Sequence, residues 1–446
     1  GSTTPLYALL MSVVYRITPD LLHAGNALSA FFLLAACGFA VLLTRAALSR
    51  FGRGAIVLLL ITSPPVYVSF GMETLLYVML LMLGLWLWSD GRRPWAMVAA
   101  AALTWTRADG AVLGAAFGLA ALWEIVEAWQ SKDTASVRGL LLDGLKLGAV
   151  YLAAALPWFI FAWAYFGSPL PQTFAVKQGL FEGIAYLTQG WRHWGVFYDN
   201  NPLSLLAVPL AAVGALKLAR TPGLRPVALW PWLYAAGYTA LNTTEFWYYT
   251  PAVAGLILLA VVGAETAAQA LIRRLEHPRA RLMVITASCL LIILCAVPGV
   301  QRALAFSQPS PRILTYRLAG EWLRANTPPE ATVMVGDLGI VGYHAERRTF
   351  DTPGLIVPGL YFPGSRYAIA RFKADYVVAT SYFGWQEVVS EGWFTALYRP
   401  VTQISTPGDP FSPITIYQRR LPAPGEMVDY GGFRAPARAG TRVRRD

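Results

Sequence analysis

Apolar runs long enough to cross a membrane recur along this chain as far as Gly299 and then stop. A bilayer core about 30 Å thick takes about 20 helical residues to cross, and only elements that satisfy their own backbone hydrogen bonds can cross it. The runs are long and unalternating, which excludes an outer-membrane barrel. The pattern predicts a polytopic α-helical membrane protein of about ten spans with a small C-terminal α/β domain outside the membrane. Composition agrees. The chain is 56% hydrophobic and 14% charged, against about 25% charged in soluble domains.

The expected crossing segments are Ala24–Thr44, Ala55–Phe70, Leu75–Trp88, Trp95–Thr106, Ala111–Ile125, Leu147–Phe166, Pro202–Leu218, Val227–Leu241, Pro251–Ala270 and Leu282–Pro298. Pro5 to Arg16 is apolar but short, and suits a helix lying along the interface. Pro64-Pro65 should break or kink its helix, since neither residue has an N–H to give.

The net charge of +11 would point to nucleic acid in a soluble protein. Here the basic residues sit in alternate loops: Arg45, Arg50 and Arg53; Arg92 and Arg93; Lys132, Arg138 and Lys146; Lys217, Arg220 and Arg225; Arg273, Arg274, Arg279 and Arg281. The intervening loops hold few. That alternation is a signature of topology and makes the basic set cytoplasmic; no nucleic-acid partner is implied. The other loops and the C-terminal part then face outward. With about ten spans, Gly1 is external too, and the chain is expected to begin partway through an external loop, after a preceding span. The three cysteines lie in apolar runs and give neither a disulfide framework nor a metal spacing.

These boundaries divide the chain into a membrane domain over 1–300, an α/β domain over 301–420 and a basic tail over 421–446. Within the α/β domain, Tyr316–Asn326 reads as an amphipathic helix. Thr332–Val335, Tyr376–Ala379, Val401–Ile404 and Ile414–Gln418 read as strands. Gly336-Asp337-Leu338-Gly339 is a turn without a nucleotide fingerprint. The Gly/Pro/Arg-rich tail is expected to be extended, on a partner or on anionic head groups.

Two polar knots interrupt the hydrocarbon: Gly71-Met72-Glu73-Thr74 and Thr106-Arg107-Ala108-Asp109-Gly110. A charge within a membrane segment costs about 2.5–3.5 kcal/mol on insertion scales and marks a functional site by default. Glu73 can instead cap the following helix, and Asp109 can cap Ala111–Ile125 or pair with Arg107. The Ser168–Asn201 loop carries Lys177 and Arg192, basic groups suited to a lipid-linked phosphate. His193 in the same loop can carry a proton or donate to phosphate, or serve as a structural hydrogen bonder. Glu245 and Tyr248 lie in an aromatic turn that is either an interfacial belt or a surface for a sugar or isoprenoid.

These pieces, in order, resemble the GT-C superfamily of polyprenyl-phosphate-dependent glycosyltransferases, and within it the arabinofuranosyltransferase-like members. The matching residues are Ser2–Tyr7, Gly71–Thr74, Thr106–Gly110, Pro169–Thr173 with Ala175 and Lys177, Tyr248-Tyr249 with Pro251, and Gly320–Leu323 leading into Thr327-Pro328-Pro329. The resemblance implies an inverting transferase. It would move a sugar from a polyprenyl-phosphate donor to a glycan, lipid or protein acceptor on the external face of the cell envelope. It implies a general-base Asp in a loop upstream of Ser2, for which Asp20 is a poor substitute by position. It carries over Glu73 and Asp109 as catalytic carboxylates. Arg107 and Lys177 become donor ligands, with Arg192, His193, Glu245 and Tyr248 as further substrate contacts. A divalent cation is the one cofactor left open. The competing expectation is a non-catalytic GT-C-like subunit among other membrane subunits. A flippase for lipid-linked sugars would require inverted repeats, and none is seen.

Overall fold

Each apolar segment expected to cross is helical over most of its length in the computed structural model. The structure describes residues 4–169, 190–194, 202–241, 245–306, 310–352, 364–380, 385–420, 427–430 and 434–436. The chain divides into two compact units, the boundary falling between Ala305 and Phe306.

Among the described residues of the first unit, five helices are long and apolar enough to cross a membrane: Leu21–Thr44, Ala108–Gln130, Thr134–Phe166, Thr250–Arg274 and Pro278–Ala305. The other apolar segments form shorter helices: Arg50–Thr62, Thr74–Ser89, Arg93–Thr106, Ala207–Ala219 and Arg225–Ala240. At 1.5 Å per residue these reach about 20–24 Å. The Pro64-Pro65 pair does break its helix. Ser63 is extended, and a separate turn of helix, Pro64–Tyr67, follows. Helix starts are capped as the side chains require. Ser49 Oγ accepts from the Gly52 N–H at 3.2 Å and Asp133 Oδ1 from the Ser136 N–H at 3.0 Å.

The core of this unit is a continuous apolar cluster centred on Thr74–Ser89, where Leu75, Tyr77, Leu81, Met82 and Trp88 are all buried. Helices come together most closely where side chains are absent. A Cβ on Gly214 would lie 2.0 Å from the Leu259 carbonyl oxygen, and one on Gly263 would lie 1.8 Å from that of Leu210. The helices Ala207–Ala219 and Thr250–Arg274 therefore meet backbone to backbone, a packing mode membrane helices favour.

The second unit is α/β. Five strands, β1 (Thr332–Val335), β2 (Arg348–Asp351), β3 (Tyr376–Ala379), β4 (Tyr398–Ile404) and β5 (Ile414–Arg419), form one sheet in the order β2-β1-β3-β5-β4. β1 is parallel to both β2 and β3, whereas β5 is antiparallel to β3 and β4. The expected strands at 332–335 and 376–379 match. β2, with only Phe350 as a large apolar residue, was not anticipated. The helix Pro311–Asn326 packs on one face with Tyr316, Ala319 and Leu323. The tail is not simply extended. Met427–Asp429 pairs antiparallel with Arg434–Pro436, and Tyr430 is fully buried with its ring 5.8 Å from that of Trp393.

Candidate functional site

The second polar knot folds as its sequence demands. The helix Arg93–Thr106 ends at Arg107, which turns to extended backbone at φ −157° and ψ 144°. A 3-10 turn, Ala108–Gly110, follows and leads directly into Ala111–Gln130. The Gly110 N–H donates to the Arg107 carbonyl at 2.8 Å. A Cβ on Gly110 would fall 2.3 Å from the Leu103 carbonyl carbon, so this turn accepts only glycine.

The turn buries Arg107, whose side chain is 5% exposed against 16% for Asp109. A charge in such surroundings needs a partner, and Arg107 Nη2 donates to Asp109 Oδ2 at 2.6 Å. The same nitrogen donates to the hydroxyl oxygens of Tyr234 at 3.1 Å and Tyr238 at 3.0 Å. Both phenols donate onward to Asp109 Oδ2, Tyr234 at 2.7 Å and Tyr238 through a shorter bond. Asp109 is thus the partner of Arg107. It is not the helix cap: Gly110 occupies that position and no side chain bonds there. Arg107 Nη1 and Asp109 Oδ1 are buried without a hydrogen-bond partner among the described residues.

Aromatic rings wall the pair. The guanidinium carbon lies 4.4 Å from the Tyr248 ring centroid and 5.2 Å from that of Tyr77. Tyr248 stacks on Tyr238 at 5.2 Å and 19°, and Trp230, Tyr234 and Tyr238 run up one face of Arg225–Ala240 with successive centroids 4.7 and 4.8 Å apart. Trp194 closes a neighbouring side. Its Nε1–H donates to Thr239 Oγ1 at 2.9 Å, and its ring meets Tyr249 edge-on at 4.7 Å.

The first knot borders this cluster. Gly71 adopts the left-handed backbone at φ +79°, and Glu73 precedes the helix Thr74–Ser89. The capping alternative for Glu73 is not realised, since its side chain makes no cap bond. Its backbone carbonyl accepts the Tyr77 N–H at 2.9 Å.

The structure therefore brings Arg107, Asp109 and Tyr248 together, and places Glu73 one helical turn before Tyr77, whose ring faces Arg107. Arg192 lies in the 3-10 turn Gly190–Trp194 with its side chain exposed. His193 belongs to that turn, and its side chain is outside the described residues, as is the whole of Lys177. Glu245 accepts the Tyr248 N–H through its carbonyl at 3.1 Å. Among the described residues nothing joins its carboxylate to the cluster. Asp20 caps Leu21–Thr44, with Oδ1 accepting the His23 N–H at 3.2 Å. Among the described residues no group of three or more His, Cys, Asp or Glu side chains could hold a metal ion. Tyr77, Tyr234 and Tyr238 were missed in the sequence. The signal for two of them was the four-residue spacing of Trp230, Tyr234 and Tyr238, which stacks polar-tipped rings on one helix face.

The loops rich in Lys and Arg gather at the other end of the helix Arg93–Thr106. There Arg93 makes a two-point pair with Glu124 at 3.0 and 2.8 Å, and Arg225 Nη2 reaches Glu127 at 2.6 Å. Arg45 and Arg92 share Asp90, at 3.5 and 3.1 Å. Lys217 donates to the Ala47 carbonyl at 3.2 Å.

Residues 311–420, within the second unit, match the family model described as a domain of unknown function (DUF8728). No curated protein matches the chain.

Proposed function

We propose that this chain is a multi-pass protein of the bacterial cytoplasmic membrane, with about ten of its apolar segments crossing and Pro5–Tyr15 lying along the interface. In this proposal the Arg107–Asp109 cluster opens on the external side as the donor site of a GT-C-like glycosyltransferase. The observation that carries the reading is the burial of a guanidinium with one nitrogen unspent, walled by tyrosines inside an apolar bundle. Membrane proteins keep such charges where a substrate uses them.

The reaction would be an in-line displacement. An acceptor hydroxyl oxygen attacks the anomeric carbon from the face opposite the lipid phosphate. The new glycosidic C–O bond forms as the bond to phosphate breaks, and the polyprenyl phosphate leaves with the electron pair. Arg107 stabilises the leaving charge. Asp109 Oδ2 already accepts three donors, which suits it to holding Arg107. Glu73 is then this chain's carboxylate for the hydroxyl proton. Lys177, Arg192, His193, Glu245 and Tyr248 complete the proposed set of donor and acceptor contacts.

A second reading has one observation of its own. The Arg107–Asp109–Tyr234–Tyr238 knot ties three helix ends together through its own bonds. That is what a GT-C-like subunit retained for assembly with other membrane subunits would keep. The full chain in nanodiscs, given a radiolabelled polyprenyl-phosphate-linked sugar and an envelope extract as acceptor, separates the two. Transfer by the wild type, lowered about a hundredfold or more but still measurable in Glu73→Gln with donor binding retained, supports the transferase. Donor binding without transfer supports the subunit.

A further inference from the structure

The N-terminal motif ending in Tyr7 has no part in the site as described so far, yet its hydroxyl reaches the first polar knot. Tyr7 OH donates to the Gly71 carbonyl at 2.9 Å. From the next helix, Ser29 Oγ accepts the Gly71 N–H at 2.9 Å, and Ser29 is fully buried. Gly71 sits at φ +79°, a conformation that side chains resist. It belongs to no helix, so its N–H and C=O have no regular partner. The two bonds come from two separate helices, Pro5–Tyr15 and Leu21–Thr44. The second helix runs close beside the turn: a Cβ on Gly25 would stand in ordinary contact, 3.6 Å, with both Gly71 Cα and Tyr7 OH.

Two residues after this clamp stands Glu73. Its carbonyl accepts the Tyr77 N–H at 2.9 Å, and Tyr77 is the ring beneath Arg107. Glu73 thus stands one helical turn before the ring that faces Arg107. Moving Gly71 therefore moves Glu73 relative to the guanidinium, with no change to either side chain.

We infer that Tyr7 and Ser29 are positioning residues that clamp the Gly71 turn from both sides and thereby set where Glu73 stands relative to Arg107. The inference rests on the proposed role of Glu73. Neither Tyr7 nor Ser29 touches reacting atoms in this arrangement.

The test uses the full chain in nanodiscs as wild type, Tyr7→Phe, Ser29→Ala and each of these combined with Glu73→Gln. Two readouts are taken: transfer kinetics from a polyprenyl-phosphate-linked sugar, and hydrogen–deuterium exchange of the amides 71–74. Each single variant should lower kcat about tenfold with KM for the donor unchanged. It should also speed exchange at 71–74 while leaving the 77–89 helix protected, with thermal midpoints within about 2 °C of wild type. In the Glu73→Gln background neither change should lower transfer further, because both act through the same residue. Additive losses with Glu73→Gln, or a fall in thermal midpoint that accounts for the lost activity, would overturn the inference. If the wild type transfers no sugar, the proposed function fails on its own. The exchange readout then decides the clamp: faster exchange confined to 71–74 sustains it, and unchanged exchange in both variants removes it.

Discussion

Arg107 and Asp109 meet through one nitrogen and one oxygen, Nη2 to Oδ2 at 2.6 Å. Arginine and carboxylate more often pair through two parallel bonds. Here Tyr234 and Tyr238 crowd onto the same nitrogen and the same oxygen. The second nitrogen and the second oxygen of the pair are left unspent in the bundle.

Removing one charge of this pair strands the other. Arg107→Leu should destabilise the membrane unit by about 3–5 kcal/mol, whereas the double variant Arg107→Leu/Asp109→Leu should recover most of that loss. Unfolding of the purified protein in mixed micelles measures both. Ligand binding, if the cluster is a donor site, should be lost in each.

The phenols make a subtler difference. Tyr238→Phe deletes a hydroxyl that both accepts from Arg107 and donates to Asp109 while keeping the ring on Tyr248. A loss of about 1.5–3 kcal/mol is expected, as for hydrogen bonds to charged groups. Combination with Asp109→Asn should cost less than the sum of the single changes, since both act on one oxygen. A double-mutant cycle in the same unfolding assay checks this.

Gly214 and Gly263 offer a test of packing with no charge involved. Alanine at either must displace a carbonyl of the facing helix and should cost about 1–3 kcal/mol or more by overpacking. Gly118→Ala is the control. A Cβ there meets nothing within 4 Å, so the change should be neutral or stabilising by about 0.5–1 kcal/mol. Thermal midpoints of the three variants decide it.

The second unit should lose stability at both ends of the pH scale. Arg366 and the Trp393 indole N–H bond to Glu391 and hold its carboxyl below the usual range. Its contribution is complete above the unfolded value of about 4.3 and fades as pH falls through the lower folded value. Burial pushes the Tyr316 phenol up to about 12, partly offset by the Arg312 bond. That contribution is complete below about 10 and fades as pH rises through the folded value. Unfolding followed by tryptophan fluorescence from pH 3 to 12 should show both limbs, and Glu391→Gln should flatten the acid one.

Much of this architecture could be read from local signals. The strands at 332–335 and 376–379 are runs of Val, Thr and Tyr, and the helices follow uninterrupted hydrocarbon. Arg107 and Asp109 stood out because two opposite charges lay two residues apart in an apolar run. β2 was hidden because Arg348-Thr349-Phe350-Asp351 is short and polar at both ends. It becomes a strand through parallel pairing with β1. Tyr234 and Tyr238 were hidden for a different reason. In an apolar helix a tyrosine looks like packing, and only folding brings it to an arginine more than a hundred residues away in sequence. Glu73 and Asp109 read equally well as helix caps, because local sequence cannot report where a carboxylate turns once its helix has neighbours.

Arg50–Thr62, Arg93–Thr106 and Ala207–Ala219 are 13, 14 and 13 residues long, and they carry exposed apolar side chains such as Phe51, Ile61, Trp95 and Leu216. In the proposed arrangement, where these helices cross, a leaflet wetting those faces would not keep its resting depth. It would dimple inward by several ångströms to meet helices about 20 Å long. Lipid head groups beside these three helices would ride lower than elsewhere around the protein, so a long-tailed lipid would arrive there with its polar end already sunk toward the bundle.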